Sequence, residues 1–323
     1  MIDTYGREIN YLRISLTDRC NMRCQYCMPT TIPSVGHDEI LRYEEVLQIC
    51  RVALQVGINR FKITGGEPLV RKGAISFMQS LRQLPGVQSM TLTTNGFALR
   101  PHIPALRQMT VDAVNISLDS LDAKLFQQIS GVDGLSCVLQ AIQQSVQAGI
   151  RTKINAVMLD KTRSQLLPLA RLAEIMPVDV RFIEIMPIGY GVTQAGYTAN
   201  QAIAVLRSTY PDLQAVSQRR GNGPAVYYQS ERMQGCIGFI AANTHKFCQQ
   251  CNRMRLTSTG FLKPCLCYDD GVDLKAIVRS DRKNRQAALQ QAICHAAAQK
   301  PAGHCFDDIR EITENKTMNQ IGG

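Results

Sequence analysis

Short apolar, β-branched runs alternate with amphipathic stretches up to about residue 186, and this alternation limits the possible folds more than any other feature of the chain. The runs Arg13–Leu16, Phe61–Thr64, Met90–Thr94, Ala113–Ser117, Lys153–Val157 and Val180–Ile185 read as strands. Helical patterns lie between them at Tyr43–Val56 and near 74–84, 101–108, 121–129, 135–148 and 165–176. In the first helix Val46, Leu47, Cys50, Ala53 and Leu54 share one face. A strand–helix unit repeated about six times implies parallel strands joined by right-handed crossovers. Such a set makes an α/β fold, either an open barrel or a doubly wound sheet, and the period alone does not separate the two.

The rhythm changes after Pro187. Ile188–Gly191 reads as a loop and Asn200–Tyr210 as a helix capped by Thr198 or Asn200. Ala225–Gln229, Cys236–Ala241, Arg253–Thr257 and Phe261–Leu266 read as short antiparallel strands, with a last helix near 281–299. The expected division is a first domain at 1–190 and a second at 191–323.

Cysteine content and charge narrow the setting. No run approaches the ~18 apolar residues of a membrane span, and the first twenty residues carry charges where a secretory signal would be apolar. A cytoplasmic location follows as the expectation, with no membrane partner. Thiols stay reduced there, so 12 cysteines point to metal ligands and buried thiols rather than disulfides. The 36 Lys and Arg against 26 Asp and Glu give a net charge of +10, which favours anionic partners. The basic residues are dispersed; the densest run, Arg279–Arg285, reads as a solvated helix face.

Two constellations carry chemistry. In the first, Cys20, Cys24 and Cys27 fall within eight residues directly after a strand. Thiolates are soft ligands that suit iron–sulfur or zinc, and three leave one coordination position for a group that is not protein. With Tyr26 just before the last cysteine, this spacing resembles the radical S-adenosylmethionine (SAM) superfamily. The resemblance implies a 4Fe-4S cluster on Cys20, Cys24 and Cys27, with SAM on its open iron. It also implies SAM contacts from Tyr26, from Gly66 of Thr64-Gly65-Gly66-Glu67-Pro68, and from Ser117 and Met186. Paired glycines allow close backbone approach, and Thr93, Ser117 and Met186 stand at strand ends, where α/β folds gather ligands.

The second constellation is Cys248, Cys251, Arg253, Arg255, Cys265 and Cys267. If Ser258-Thr259-Gly260 turns a hairpin centred on residue 259, Arg253 lies opposite Cys265. Period-two alternation then puts Cys251, Arg253, Arg255, Cys265 and Cys267 on one face. A four-thiolate zinc ribbon would use Cys248, Cys251, Cys265 and Cys267; a metal centre between two guanidiniums would suit a phosphate ligand.

The pattern of this segment is similar to the C-terminal signature of the GTP 3′,8-cyclase family, which begins molybdenum cofactor synthesis. Lys300-Pro301-Ala302-Gly303-His304 and the final Gly322-Gly323 resemble that family too, so the likeness runs from Arg13 to the end of the chain. It implies a partial (β/α)6 TIM-like radical SAM barrel followed by an α+β domain with a second 4Fe-4S cluster on Cys248, Cys251 and Cys265. Cys267 is a thiol that the family pattern does not require. Cys50 reads as a core thiol, and Cys137, Cys236, Cys294 and Cys305 are assigned no chemistry.

On this resemblance the substrate is GTP, bound by Arg13, Lys62, Thr93, Lys153, Arg253 and Arg255, with Gly322 and Gly323 reaching into the active site as catalytic residues. Family patterns often carry Arg where Lys62 stands; Lys keeps the charge without the fork. A 5′-deoxyadenosyl radical would take the ribose 3′ hydrogen, and C3′ would join C8 to give (8S)-3′,8-cyclo-7,8-dihydroguanosine 5′-triphosphate. A reductant such as flavodoxin or ferredoxin and a functional link to cyclic pyranopterin monophosphate synthase follow from the family alone, which also leaves room for a homodimer. Two rival readings stand beside it. One is a peptide-modifying radical SAM enzyme with an auxiliary cluster, which would lack the arginine pair and Gly-Gly tail. The other is an RNA-binding metal-cluster protein, which the absence of Trp and the dispersed charge disfavour, so no nucleic acid is expected.

Overall fold

The computed structural model describes residues 1–28, 35–218, 220–281 and 283–322. In chain order its regular elements begin β1 (Tyr11–Ser15), α1 (Tyr43–Gln55), β2 (Arg60–Thr64), α2 (Ala74–Arg82) and β3 (Ser89–Thr94). They continue α3 (Ile103–Gln108), β4 (Ala113–Ser117), α4 (Ala123–Ser130), α5 (Leu135–Gln147), β5 (Thr152–Met158), α6 (Leu166–Ile175) and β6 (Asp179–Glu184). After these come α7 (Ala199–Thr209), β7 (Gln214–Val216), β8 (Val226–Gln229), β9 (Ile237–Ile240), β10 (Arg253–Leu256), β11 (Phe261–Lys263), β12 (Val272–Asp273), α8 (Leu274–Val278) and α9 (Arg285–Ala298). All six expected β/α strands are present, within two residues at each end.

By their contacts the residues form two mixed α/β units. The first takes Met1–Asn21, Cys27–Leu92 and Cys248–Gly323, and its strand order is β12-β11-β10-β1-β2-β3. Here β1 pairs in parallel with both β2 and β10, while β10–β11 and β11–β12 are antiparallel. The second takes Met22–Tyr26 and Thr93–Phe247, with order β4-β5-β6-β9-β8-β7. Its β4, β5, β6 and β9 run parallel, and β9–β8–β7 form an antiparallel edge.

The four late strands were expected to be antiparallel, and this holds for only part of their pairing. Strands β9 and β10 each have one antiparallel neighbour, but on the other edge they join β6 and β1 in parallel. The reason is burial: Ile237, Phe239, Met254 and Leu256 are at most 3% exposed and behave as central-strand residues. The basic run also departs from expectation. Arg279 lies past the end of α8 and α9 starts only at Arg285, so these residues connect two helices. Arg279 is engaged by Glu45 at 2.8 Å rather than solvated on a face.

Local chemistry explains the boundaries. Thr198 accepts from the N–H of Gln201 at 3.3 Å and Gln201 accepts back from Thr198, which makes a capping box at the start of α7. Asp122 caps α4 through the Leu125 N–H at 2.8 Å. Buried Glu184, at the end of β6, takes the N–H groups of Ala199, Asn243 and Thr244 and the Thr244 hydroxyl. Glu184→Ala therefore strands three backbone donors. It is expected to cost about 3–5 kcal/mol, visible as a lower urea midpoint with unchanged slope.

No helix among the described residues is long and apolar enough to cross a membrane.

Candidate functional site

The strands carry polar side chains on one face and apolar ones on the other, and their register lines the polar ones up. In the first unit Lys263 pairs with Arg255, Arg255 with Arg13, Arg13 with Lys62, and Lys62 with Thr91. Neighbouring residues in register project to the same side, so four cations share one row across β11, β10, β1 and β2. The alternate positions, Leu12, Ile14, Phe61, Ile63, Met254 and Leu256, are all buried. The hairpin register matches the expected centre at residue 259, because Arg255 faces Lys263 and Leu256 faces Leu262.

The Gly65-Gly66 turn packs closely against the chain's own backbone. A Cβ on Gly66 would lie 2.3 Å from the Arg19 carbonyl oxygen and one on Gly65 would lie 2.6 Å from that of Thr17. The close approach is therefore to the backbone that leads into Cys20. Gly66 N–H donates to Thr17 O at 2.7 Å and Glu67 N–H to Arg19 O at 2.8 Å. The turn thereby braces the start of the cysteine loop.

Around the second cysteine group, Arg253 Nη2 donates to Cys251 Sγ at 3.6 Å. Burial pushes the Cys251 thiol up, but the Arg253 and Lys300 cations outweigh it and bring the pKa down to about 6. A thiol already poised as thiolate suits a metal cluster. Lys300 Nζ itself donates to Arg253 O at 2.9 Å and Pro264 O at 2.5 Å. Arg7 uses all five donors: Nε on Asp3, Nη1 on Cys248 O and Ala302 O, and Nη2 on Lys300 O and Pro301 O. It binds the Cys248 loop to the 300–302 segment. Cys267 does not join Cys251 and the arginines as the alternation proposed; it turns inward to Cys305, which had been given no chemistry, at 2.7 Å. The reason lies in β11, which ends at Lys263, so strand alternation does not extend to residue 267.

The C-terminal segment returns to the same row. Lys263 and Glu314 form a buried ion pair. Asn319 donates to Asp18 O at 3.0 Å, and Arg255 Nη1 donates to Gly322 O at 2.8 Å. Gly322 has φ 78°, and a Cβ there would meet Ser15 Cβ at 3.1 Å and Thr64 Cγ2 at 3.4 Å, at the ends of β1 and β2. Only glycine fits both conditions. Gly323 lies outside the described residues. Burial first, then the Arg13 and Arg253 charges, hold Arg255 well below the usual guanidinium range.

The second unit carries its own polar rows. Asn115, Lys153 and Asp179 are in register, as are Ser117, Asn155 and Arg181. Lys153 is buried, paired with Asp179 at 3.3 Å, and donates to Tyr227 Oη at 3.0 Å and to the Arg220 carbonyl. Arg220 shares Asp179 at 2.8 Å, so two cations meet one anion. Thr93 Oγ1 and Asn155 Oδ1 are buried without a hydrogen-bond partner, which marks them as groups a ligand could satisfy. The Met186 carbonyl accepts from Ile188 N–H at 2.8 Å. Cys24 sits on a segment docked by Arg23 N–H to Ser130 O and Gln25 N–H to Ile129 O, at 2.7 and 3.0 Å.

Tyr26 Oη donates to Asp119 Oδ2 at 2.7 Å, and Val157 N–H donates to Asp119 Oδ1 at 2.7 Å. Burial raises the Asp119 carboxyl to about 6 against these two bonds. In the unfolded chain it would ionise near 3.8, so the folded state holds the extra proton between those values. Stability is full below pH 4 and falls as pH rises through 6. Asp119→Asn keeps the shape without the charge, and the Tyr26 hydroxyl can turn to accept. Between pH 5 and pH 7 the variant is expected to gain about 1 kcal/mol on the wild type, read by anaerobic urea denaturation.

Among the described residues no three His, Cys, Asp or Glu side chains converge as on a single ion. A cubane cluster spreads its thiolates over different irons, and the poised Cys251 together with the partnerless Thr93 and Asn155 oxygens fit bound groups. Lys263 and Arg7 were missed as contributors, and Lys300 and Asp119 were singled out only as parts of motifs. The hairpin register contained the signal for Lys263, since it places residue 263 opposite 255; Arg7 and Lys300 have no local spacing to betray them.

Comparison with known proteins adds independent observations. The Radical SAM superfamily profile matches residues 14–173, and the Molybdenum Cofactor Synthesis C profile matches 178–306. A "GTP 3′,8-cyclase" of Clostridium perfringens is 37% identical over 325 residues, covering 100% of both chains. Proteins of the same name from Moorella thermoacetica and Pelotomaculum thermopropionicum are 38% and 39% identical, again over 100% of both chains. A crystal structure of Streptococcus suis SuiB bound to S-adenosylmethionine aligns with TM-score 0.65 at 15% identity, covering 98% of this chain and 76% of that one. At that identity it speaks for the fold alone.

Proposed function

The chain belongs to the GTP 3′,8-cyclase family of radical SAM enzymes, and from that premise we propose how its residues convert GTP to (8S)-3′,8-cyclo-7,8-dihydroguanosine 5′-triphosphate in molybdenum cofactor biosynthesis. The observation that carries the reading is the row Lys263, Arg255, Arg13 and Lys62, which meets the C-terminal segment at Gly322. A triphosphate needs such a cationic row, and forked guanidiniums match its oxygens.

Strands β1 to β6 with their helices form the partial barrel, in a domain at 1–190, and 191–323 carries the second cluster. Cys20, Cys24 and Cys27 hold the first 4Fe-4S cluster; Cys248, Cys251 and Cys265 hold the second. When bound, the first cluster and SAM supply the 5′-deoxyadenosyl radical that removes the ribose 3′ hydrogen. Tyr26, fixed by Asp119, orients SAM together with Gly66, Ser117 and Met186. Arg13, Lys62, Arg253 and Arg255 bind the anionic substrate. Thr93 offers its buried hydroxyl, and Lys153 adds a cation whose charge Asp179 and Arg220 balance. Gly322 and Gly323 close the site, because a backbone without side chains takes up little room beside substrate. The protein's part is to position reactants and exclude water. The enzyme works in the cytoplasm with a flavodoxin- or ferredoxin-like reductant, and passes its product to cyclic pyranopterin monophosphate synthase.

The test is anaerobic: cluster-loaded protein, SAM and dithionite, with and without GTP, read by mass spectrometry. The expected result is a GTP isomer formed in proportion to 5′-deoxyadenosine. Deoxyadenosine without the isomer would overturn the substrate and leave the superfamily.

A further inference from the structure

Two cysteines stand outside the cysteine sites used above. Cys267 and Cys305 are 38 positions apart in the chain, yet their sulfurs lie 2.7 Å from each other. That is closer than unbonded sulfurs settle and only about 0.7 Å longer than a disulfide bond of roughly 2.0 Å. The Cys305 N–H also donates to Cys267 Sγ at 3.3 Å, which fixes that sulfur from a second direction. Their surroundings are held as well. His304 and Phe306, on either side of Cys305, stack with ring centroids 4.2 Å apart, and the Cys267 carbonyl accepts from Glu314 N–H at 3.3 Å. The ordering that usually opposes closing a long loop has already been met by folding. Cys267 is 0% exposed and Cys305 6%, so an oxidant reaches Cys305 first.

We propose that Cys267 and Cys305 are a redox modification site: a dithiol in the reduced protein that closes to a disulfide on reaction with a low-molecular-weight disulfide such as oxidised glutathione. The Cys305 thiolate attacks one sulfur of the oxidant, forming a mixed disulfide and releasing the first small thiol. Cys267 then attacks the Cys305 sulfur, its proton passing to the departing small thiol, which is the second released. Two protein S–H bonds are lost and one S–S bond is made; the two electrons and two protons leave on the two small thiols. The link would fasten the segment leading to Gly322 onto the loop that carries Cys265. That consequence for catalysis rests on the proposed function, whereas the link itself does not.

The test uses the full-length, cluster-loaded protein, equilibrated anaerobically across a series of reduced-to-oxidised glutathione ratios. Samples are acid-quenched, alkylated, digested without reduction and read by mass spectrometry. With rising oxidised share, the chain should lose two alkylatable thiols and gain one linked peptide joining Cys267 to Cys305, reversed by dithiothreitol. The tail beyond Phe306 should then resist protease more than in the reduced protein. Iron content recorded on the same samples separates this event from cluster loss. Independent alkylation of both thiols at every ratio would overturn the proposal, as would a link from Cys267 to Cys265 in place of Cys305. Cys305→Ser should abolish the linked peptide; should that variant misfold, the wild-type linkage map still decides.

Discussion

The Arg255→Lys enzyme is expected to form the GTP isomer about 10²–10³-fold more slowly while still cleaving SAM. Arg255, half-buried, is flanked by the Arg13 and Arg253 charges and has Nη1 on the Gly322 carbonyl. A lysine ammonium is a single-nitrogen point charge that cannot reproduce the planar fork of a guanidinium. The substitution therefore removes the fork that matches phosphate oxygens and the Nη1 donor that holds Gly322. Neither loss touches the Cys20–Cys27 loop. The measurement is the ratio of GTP isomer to 5′-deoxyadenosine in one anaerobic incubation. An unchanged ratio, with both products falling together, would show that Arg255 serves folding and not the cyclisation.

Arg7→Ala is expected to empty the second cysteine site selectively. The Arg7 side chain is buried, pairs with Asp3 at 2.6 Å, and its remaining donors satisfy four carbonyls, among them that of Cys248. Truncation leaves a buried carboxylate without its cation and takes a donor from each of four carbonyls, of which Cys248 O keeps the Cys251 N–H. Breaking a buried pair in this way costs about 3–5 kcal/mol, concentrated where the Cys248 loop meets residues 300–302. Iron analysis should show about four fewer irons per chain, and GTP binding should be lost. SAM cleavage at the first cluster should continue. Loss of all iron would mean that the whole first unit had unfolded, and full iron would remove Arg7 from any role in holding the loop.

The contrast between what was readable and what was not follows from distance in the chain. Strand β4 was found to the residue, because Ala113–Ile116 is buried throughout and its neighbours are turn formers. The α7 cap was readable to one of two residues, Thr198 or Asn200, and the capping box with Gln201, three positions on, selects Thr198. The hairpin register was readable because one turn sets it. The pairing of β10 with β1 was not: Arg255 and Arg13 meet in register across more than two hundred residues, and no local pattern encodes that. Arg7, Lys300 and Cys305 fall in the same class, since each acts on a partner remote in sequence. The short elements β7, β12 and α8 were missed because two to five residues carry too little periodicity to register.

The row of like charges on β11, β10, β1 and β2 has a bearing on how the protein behaves before any chemistry begins. Folding brings Lys263, Arg255, Arg13 and Lys62 side by side, with Glu314 paired to Lys263 and the Arg13 and Arg253 charges acting against that of Arg255. Mutual repulsion makes the empty protein softer than its core alone would dictate, and a polyanion that settles along the row relieves it. Ligand and fold are then linked: the loaded enzyme melts higher than the empty one by an amount that grows with ligand concentration. The same linkage makes the empty enzyme sensitive to ionic strength, with salt screening doing part of what substrate does.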